Sequence, residues 1–138
     1  MADTQYPEPT VGGIIINPDG KLFLMRSHKW KHCYTVPGGH IELGETMQEA
    51  LVREIKEETN LDIYGIEFLL FQEFIHDPAF WKKKHFIFFD FACRTDSDDV
   101  ILNDEAQEYV WVAINDAFDL PIDQYTKRAI EEYVKINK

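Results

Sequence analysis

Cysteine is nearly absent: Cys33 and Cys93 stand far apart with no CxxC spacing, which excludes both a disulfide framework and a cysteine-based zinc site. Free thiols in a reducing compartment are the simpler arrangement. Basic residues are also short, 14 Lys and Arg against 25 Asp and Glu, for a formal net charge of -11 over 138 residues. Such a field repels a nucleic-acid backbone and an anionic membrane surface, so neither is expected as a partner. It also repels any phosphorylated small molecule, unless bound cations reverse the charge locally. No run approaches the roughly 20 apolar residues of a membrane span, and Met1 to Pro9 lacks the basic start and apolar centre of a secretory signal. A cytoplasmic location is expected. Internal repeats, low-complexity tracts and linkers are missing too, so residues 1–138 are expected to form one domain.

What remains is a chain 45% hydrophobic and 14% aromatic, long enough to close one core. Two runs, Val11 to Asn17 and Lys21 to Ser27, flank Asn17-Pro18-Asp19-Gly20, residues that favour a tight turn, and read as a hairpin. After a basic, aromatic loop from His28 to Tyr34, Val36-Pro37-Gly38-Gly39 lets the backbone turn sharply and approach something closely. Thr46 and Glu49 have capping-box spacing, and Leu51, Val52 and Ile55 supply an apolar helical face, which predicts a helix from Met47 to Thr59. Asn60 tolerates the left-handed conformation that closes helices. Ile66 to Ile75 and His85 to Cys93 read as central strands covered on both faces, joined by a loop from Asp77 to Lys84. Glu108 to Ala113 reads as a shorter strand. Asp123 caps a last helix whose Tyr125, Ala129, Ile130 and Tyr133 recur at helical spacing. The order ββ, α, βββ, α gives an α/β layered fold with a mixed sheet.

Within the first helix, Glu54, Glu57 and Glu58 stand at i, i+3 and i+4 and share one face. At about 5–6 Å, two such charges repel by roughly 0.7 kcal/mol in water and about 3 kcal/mol at an effective dielectric near 20. Hard oxygen ligands at this spacing suit Mg²⁺ or Mn²⁺ bridging to phosphates; an E-x-x-E-E alone would equally be a solvated acidic face.

Context decides between them. Gly39, Glu45, Arg53, Glu54, Glu57 and Glu58, with apolar Ile55 and Leu61, match the Nudix box G-x(5)-E-x(7)-R-E-U-x-E-E-x-G-U over residues 39–61 at every fixed position but one. With about 7% usage for each of six specified residues, chance gives such a match on the order of once in ten million starts. The chain thus resembles the Nudix (MutT-like) hydrolase family. Asn60 stands where the box has glycine, a change the left-handed geometry accepts.

The resemblance implies an α/β/α sandwich, Mg²⁺ (or Mn²⁺) as cofactor, and cleavage of a diphosphate linkage in a small-molecule nucleotide. A nucleoside triphosphate is the first expectation; a nucleotide sugar, ADP-ribose or a non-catalytic nucleotide sensor are the alternatives. By position, Glu54, Glu57 and Glu58 would hold metal, with the Gly38 carbonyl, and Arg53 with Glu45 would tie the loop to the helix. Glu105 would join the metals or act as base, with Glu108 in reserve; the base is left open among Glu54, Glu105 and other metal-bound carboxylates. Gly38 and Gly39 border the substrate in this reading. Tyr34 either stacks on a base or packs under the loop, and Arg26 either meets phosphate or is solvated, as do Lys29, Trp30 and Lys31. Phe80, Trp81 and Lys82 to Lys84 pose the same choice. The five histidines lack zinc-hydrolase spacing. A homodimer would suit the apolar strands, though no residue compels one.

Overall fold

A computed structural model describes residues 6–137; Met1 to Gln5, the first part of the segment read against a secretory signal, and Lys138 lie outside them. Seven strands form one sheet: β1 (Glu8–Ile16), β2 (Lys21–Arg26), β3 (Tyr34–Thr35), β4 (Gly38–His40), β5 (Ile63–Ile75), β6 (His85–Thr95) and β7 (Glu108–Ala113). Helix α1 (Met47–Thr59) and helix α2 (Gln124–Ile136) cover its two faces. The main path runs β3-β2-β1-β6-β5, with β4 on β1 and β7 on β2. β1 and β6 are parallel, Gly12 opposite Asp90, while the other pairs are antiparallel, so the sheet is mixed.

Alternation along β1 separates the two cores. Val11 and Ile15 pack with Phe23, Phe91 and Cys93 under Leu51 and Ile55 of α1. Ile14 and Ile16 join Leu22 and Leu24 under Ala129 and Ile130 of α2. Each fully buried Leu or Ile contributes about 1.5–3 kcal/mol, which fixes α1 against the sheet and so fixes where its acidic face points. The helix starts where its sequence demands: Thr46 accepts the Glu49 N–H at 3.1 Å and Glu49 returns a bond to the Thr46 N–H at 2.9 Å. It stops at Asn60, left-handed at φ 68°.

Two expectations need correction. The Asn17–Gly20 turn is present, with the Asn17 side chain accepting from Asp19 and Lys21 N–H. Yet β1 and β2 pair only beside it, Ile16 opposite Leu22, after which β2 runs along β7. The strands diverge because each has a longer partner elsewhere, β6 for β1 and β7 for β2. The strand read over Ile66–Ile75 begins at Ile63 and lies at the sheet edge, with Phe68, Phe71 and Ile75 exposed. Apolar content cannot distinguish an edge strand with one open face from a central one. The strand from His85 does run centrally, between β1 and β5.

Candidate active site

The glycine turn is wedged between β1 and α1. Gly38 and Gly39 pair with Gly12 and Val11. A Cβ on Gly38 would collide with the Val11 carbonyl, and one on Gly39 with the Glu54 carboxylate. Bare backbone at both positions therefore lets β4 lie against the acidic face of the helix. Glu58, one turn beyond Glu54, is 3% exposed, and its Oε1 accepts the Gly38 N–H at 3.2 Å. Burial pushes the Glu58 carboxyl well above the usual carboxylate range, and its hydrogen bond and like charge with Glu54 push it further.

A carboxyl as desolvated as Glu58 beside a like charge favours its protonated form unless a cation lies against it. Paired hard oxygens beside bare glycine backbone fit a Mg²⁺ or Mn²⁺ ion by donor chemistry. Glu57 stands apart from the pair: its side chain is 54% exposed and receives Arg53 Nη1 at 3.3 Å. Among the described residues, no three His, Cys, Asp or Glu side chains close on one point. A third carboxylate ligand would have to come from Glu57 after it leaves Arg53, or from Glu105.

Arg53 is the hub of the loop. Nε and Nη2 grip both oxygens of Glu45 at 2.6 and 3.0 Å, Nη1 reaches Glu54 at 3.0 Å, and Nη2 also donates to the His40 carbonyl at 3.0 Å. The hydrogen bonds from Arg53 hold Glu45 down at about 2. Planar guanidinium geometry matches a carboxylate in two bonds, which an ammonium cannot reproduce.

Beside the carboxylates a cavity of about 270 Å³ opens, lined by Gly38, Gly39, Glu54, Glu58, Lys29 and Glu105 among others. Lys29 Nζ binds Glu105 Oε2 at 2.8 Å, and the Glu105 charge also pushes Glu58 upward. The loop from Asp77 to Lys84 is tied to this rim through the Trp81 N–H, which donates to the Lys29 carbonyl at 2.8 Å. Phe80 from that loop, with Trp30, Phe86, Phe88 and Tyr125, forms an aromatic wall.

Arg26 and Tyr34 are not in that lining. Tyr34 is buried in the α2-side core and donates its hydroxyl to Glu108 at 2.8 Å, while Arg26 lies 5.2 Å from its ring and 3.6 Å from Glu108. Of the two carboxylates offered for the later loop, Glu105 faces the cavity and Glu108 is engaged with Tyr34. Sequence reasoning passed over Asp90, Asp123, Phe86, Phe88 and Tyr125, all of which line the cavity. A signal existed for one of them: Asp90 interrupts the apolar run HFIFFDFAC, and a carboxylate is costly to bury without purpose.

Two helices over the faces of a mixed sheet place the fold in the α/β sandwich class. The family model described as the NUDIX domain matches residues 6–133, and the chain belongs to that family, as a hydrolase acting on pyrophosphate bonds. An ADP-ribose pyrophosphatase of Methanocaldococcus jannaschii is 33% identical over 94% of this chain and 75% of its own length. Nucleoside triphosphatase NudI of an Enterobacter species is 31% identical over 68% of this chain and 71% of its own. Other relatives are longer, this chain spanning 37% of one and 35% of another. The crystal structure of a MutT protein from Methanosarcina mazei superposes with a TM-score of 0.79 over 99% of both chains at 23% identity.

Proposed function

We propose that the chain is a Mg²⁺-dependent pyrophosphohydrolase of a nucleoside diphosphate-linked compound, with a nucleoside triphosphate as the first substrate class. The observation that carries this reading is the Glu54–Glu58 carboxyl pair opening onto a cavity with an aromatic wall. A cavity of about 270 Å³ sits just below the roughly 300–1,000 Å³ usual for small-molecule sites. It suits one nucleoside better than two.

Glu54 and Glu58 would hold the cation, joined by Glu57 and the Gly38 carbonyl. When bound, such an ion supplies Lewis acidity on phosphate oxygens and a water of lowered pKa. Glu105, which lines the cavity, would accept a proton from an attacking water, and Lys29 beside it would offer a point charge to phosphate. Arg53 and Glu45 keep the turn and helix in register without touching substrate. The aromatic wall orients the base and excludes water. The second reading is an ADP-ribose pyrophosphatase, favoured by the 33% identity with the archaeal relative.

The test is a product analysis with Mg²⁺ over nucleoside triphosphates, nucleotide sugars, ADP-ribose and dinucleoside polyphosphates. Nucleoside monophosphate and pyrophosphate from a triphosphate support the first reading; AMP and ribose 5-phosphate from ADP-ribose support the second. Nucleotide binding with no EDTA-sensitive turnover of any compound would sink both in favour of a sensor.

A further inference from the structure

Asp90 has a burial that the proposed chemistry does not explain. It lies on β6 with 7% of its surface exposed, on the same face as Phe88 and Phe86 two and four residues earlier. One oxygen is committed: Oδ2 accepts Gln72 Nε2 at 3.0 Å. The orientation of Gln72 is fixed in turn, because Nε2 also donates to the Tyr125 carbonyl at 2.9 Å and Oε1 accepts Arg128 Nη1 at 3.2 Å.

The other oxygen is free. Oδ1 lies over Gly12, where a Cβ would come within 3.1 Å of it, and no described side chain donates to it. No described buried side-chain oxygen is both sealed and unpartnered, so Oδ1 opens onto the cavity that Asp90 lines. Its neighbour Asp123 offers no such atom. That carboxylate caps α2, accepting the Tyr125 and Thr126 N–H groups at 2.8 and 3.0 Å and the Thr126 hydroxyl at 2.6 Å.

We propose that Asp90 is the specificity-determining residue of the cavity, its Oδ1 hydrogen-bonding the in-plane edge of a nucleobase held against Phe88. The inference rests on the nucleotide reading above and adds the residue that chooses among bases. With Gln72 bonded to Oδ2, a proton on this carboxyl sits on Oδ1. Neutral, Oδ1–H donates to a ring nitrogen or carbonyl; ionised, Oδ1 accepts a ring N–H. Burial pushes Asp90 up to about 7, so both forms are accessible near neutrality. An apolar wall alone discriminates weakly between bases of one size, whereas a buried polar atom left unpaired discriminates strongly.

The test compares the wild-type protein with Asp90→Asn and Asp90→Leu, each checked for a cooperative melt. Asparagine keeps an acceptor toward Gln72 and presents a permanent amide donor to the cavity. Substrates are the adenine, guanine, cytosine and uracil forms of one pyrophosphate, together with its abasic analogue. Asp90→Asn should change the ratio of kcat/KM between the best and worst base by about tenfold or more, while the abasic compound changes by less than about twofold. Asp90→Leu should flatten the preference. An equal change for every base and for the abasic compound would mean that Asp90 only supports the fold, and overturns the proposal. If the wild type hydrolyses none of them, the reading of that pyrophosphate as the substrate falls. Calorimetric binding of the four nucleoside 5′-monophosphates then decides the base reading alone: a rank order altered by Asp90→Asn upholds it, and an unaltered order overturns it.

Discussion

Gly38→Ala and Gly39→Ala are adjacent, chemically identical substitutions for which the structure assigns different damage. At Gly38 the added Cβ meets backbone: the Val11 carbonyl and, at 2.7 Å, the Gly12 Cα. β1 is buried from Thr10 to Ile16 and cannot yield, so the turn must retreat and the Gly38 N–H to Glu58 bond goes with it. Overpacking of this kind costs about 1–3 kcal/mol, and removing a donor from a buried carboxyl about 1–3 kcal/mol more. The lower entropy of an unfolded alanine offsets about 0.4–1 kcal/mol. A net loss of about 3 kcal/mol corresponds to a fall in Tm of about 10 °C at this chain length. At Gly39 the Cβ meets only the end of the Glu54 side chain, which can swing away from Arg53 and Glu58. Stability should then change by less than about 1 kcal/mol, while a carboxylate displaced by about 1 Å lowers kcat/KM roughly a hundredfold. Thermal melts and Mg²⁺-dependent initial rates on both variants check this. A Gly38→Ala protein with wild-type Tm, or a Gly39→Ala protein with wild-type rate, refutes the placement of the turn.

Three further outcomes are expected. Thr46→Ala removes the acceptor for the Glu49 N–H and should cost about 1 kcal/mol in urea unfolding, with no change in metal dependence. Arg53→Lys cannot grip both Glu45 oxygens, so the Glu45 carboxyl, held at about 2, should titrate nearer its ordinary value by NMR. Because that group is depressed in the folded state, its contribution to stability is present above about 4.5 and lost as pH falls toward about 2; the variant should show a smaller acid-limb loss in this window. Asp90 has the opposite sign: raised from 3.8 to about 7, it destabilises the folded state as pH rises through that interval. Asp90→Asn should remove a penalty of up to about 4 kcal/mol, so its stability gain over wild type should be larger at pH 8 than at pH 5 in chemical melts.

Much of the site was legible because it is local in sequence. The capping pair Thr46 and Glu49, the apolar spacing of Leu51 and Ile55 and the left-handed Asn60 specify α1 residue by residue, and the helix bounds follow. The Glu54–Glu58 spacing then puts two carboxylates on one face. What was not legible depends on long-range packing. That Glu57 turns to Arg53 while Glu58 is buried against Gly38 is decided by how α1 rolls on the sheet, which periodicity leaves undetermined. Tyr34 had two readings, and burial in the α2-side core rather than the cavity wall follows from pairing of β3 with β2. The cavity wall assembles Trp30, Phe80, Phe88 and Tyr125 from four separate segments, and only the sheet order brings them together. β5 reads as central from composition because an edge strand can carry exposed Phe68 and Phe71 as readily as buried ones.

Glu54 and Glu58 are proposed as the metal-holding pair beneath the glycine turn. The most direct test is the Mg²⁺-dependent rate of Glu54→Gln and Glu58→Gln, measured on protein shown by melting to be folded. Loss of one charged ligand should reduce turnover by about a hundredfold or more and weaken the Mg²⁺-induced rise in Tm, with Glu58→Gln at least as stable as wild type without metal because it removes a desolvated acid. Wild-type turnover and an undiminished Mg²⁺ response in both variants would contradict the assignment and move the metal to other carboxylates.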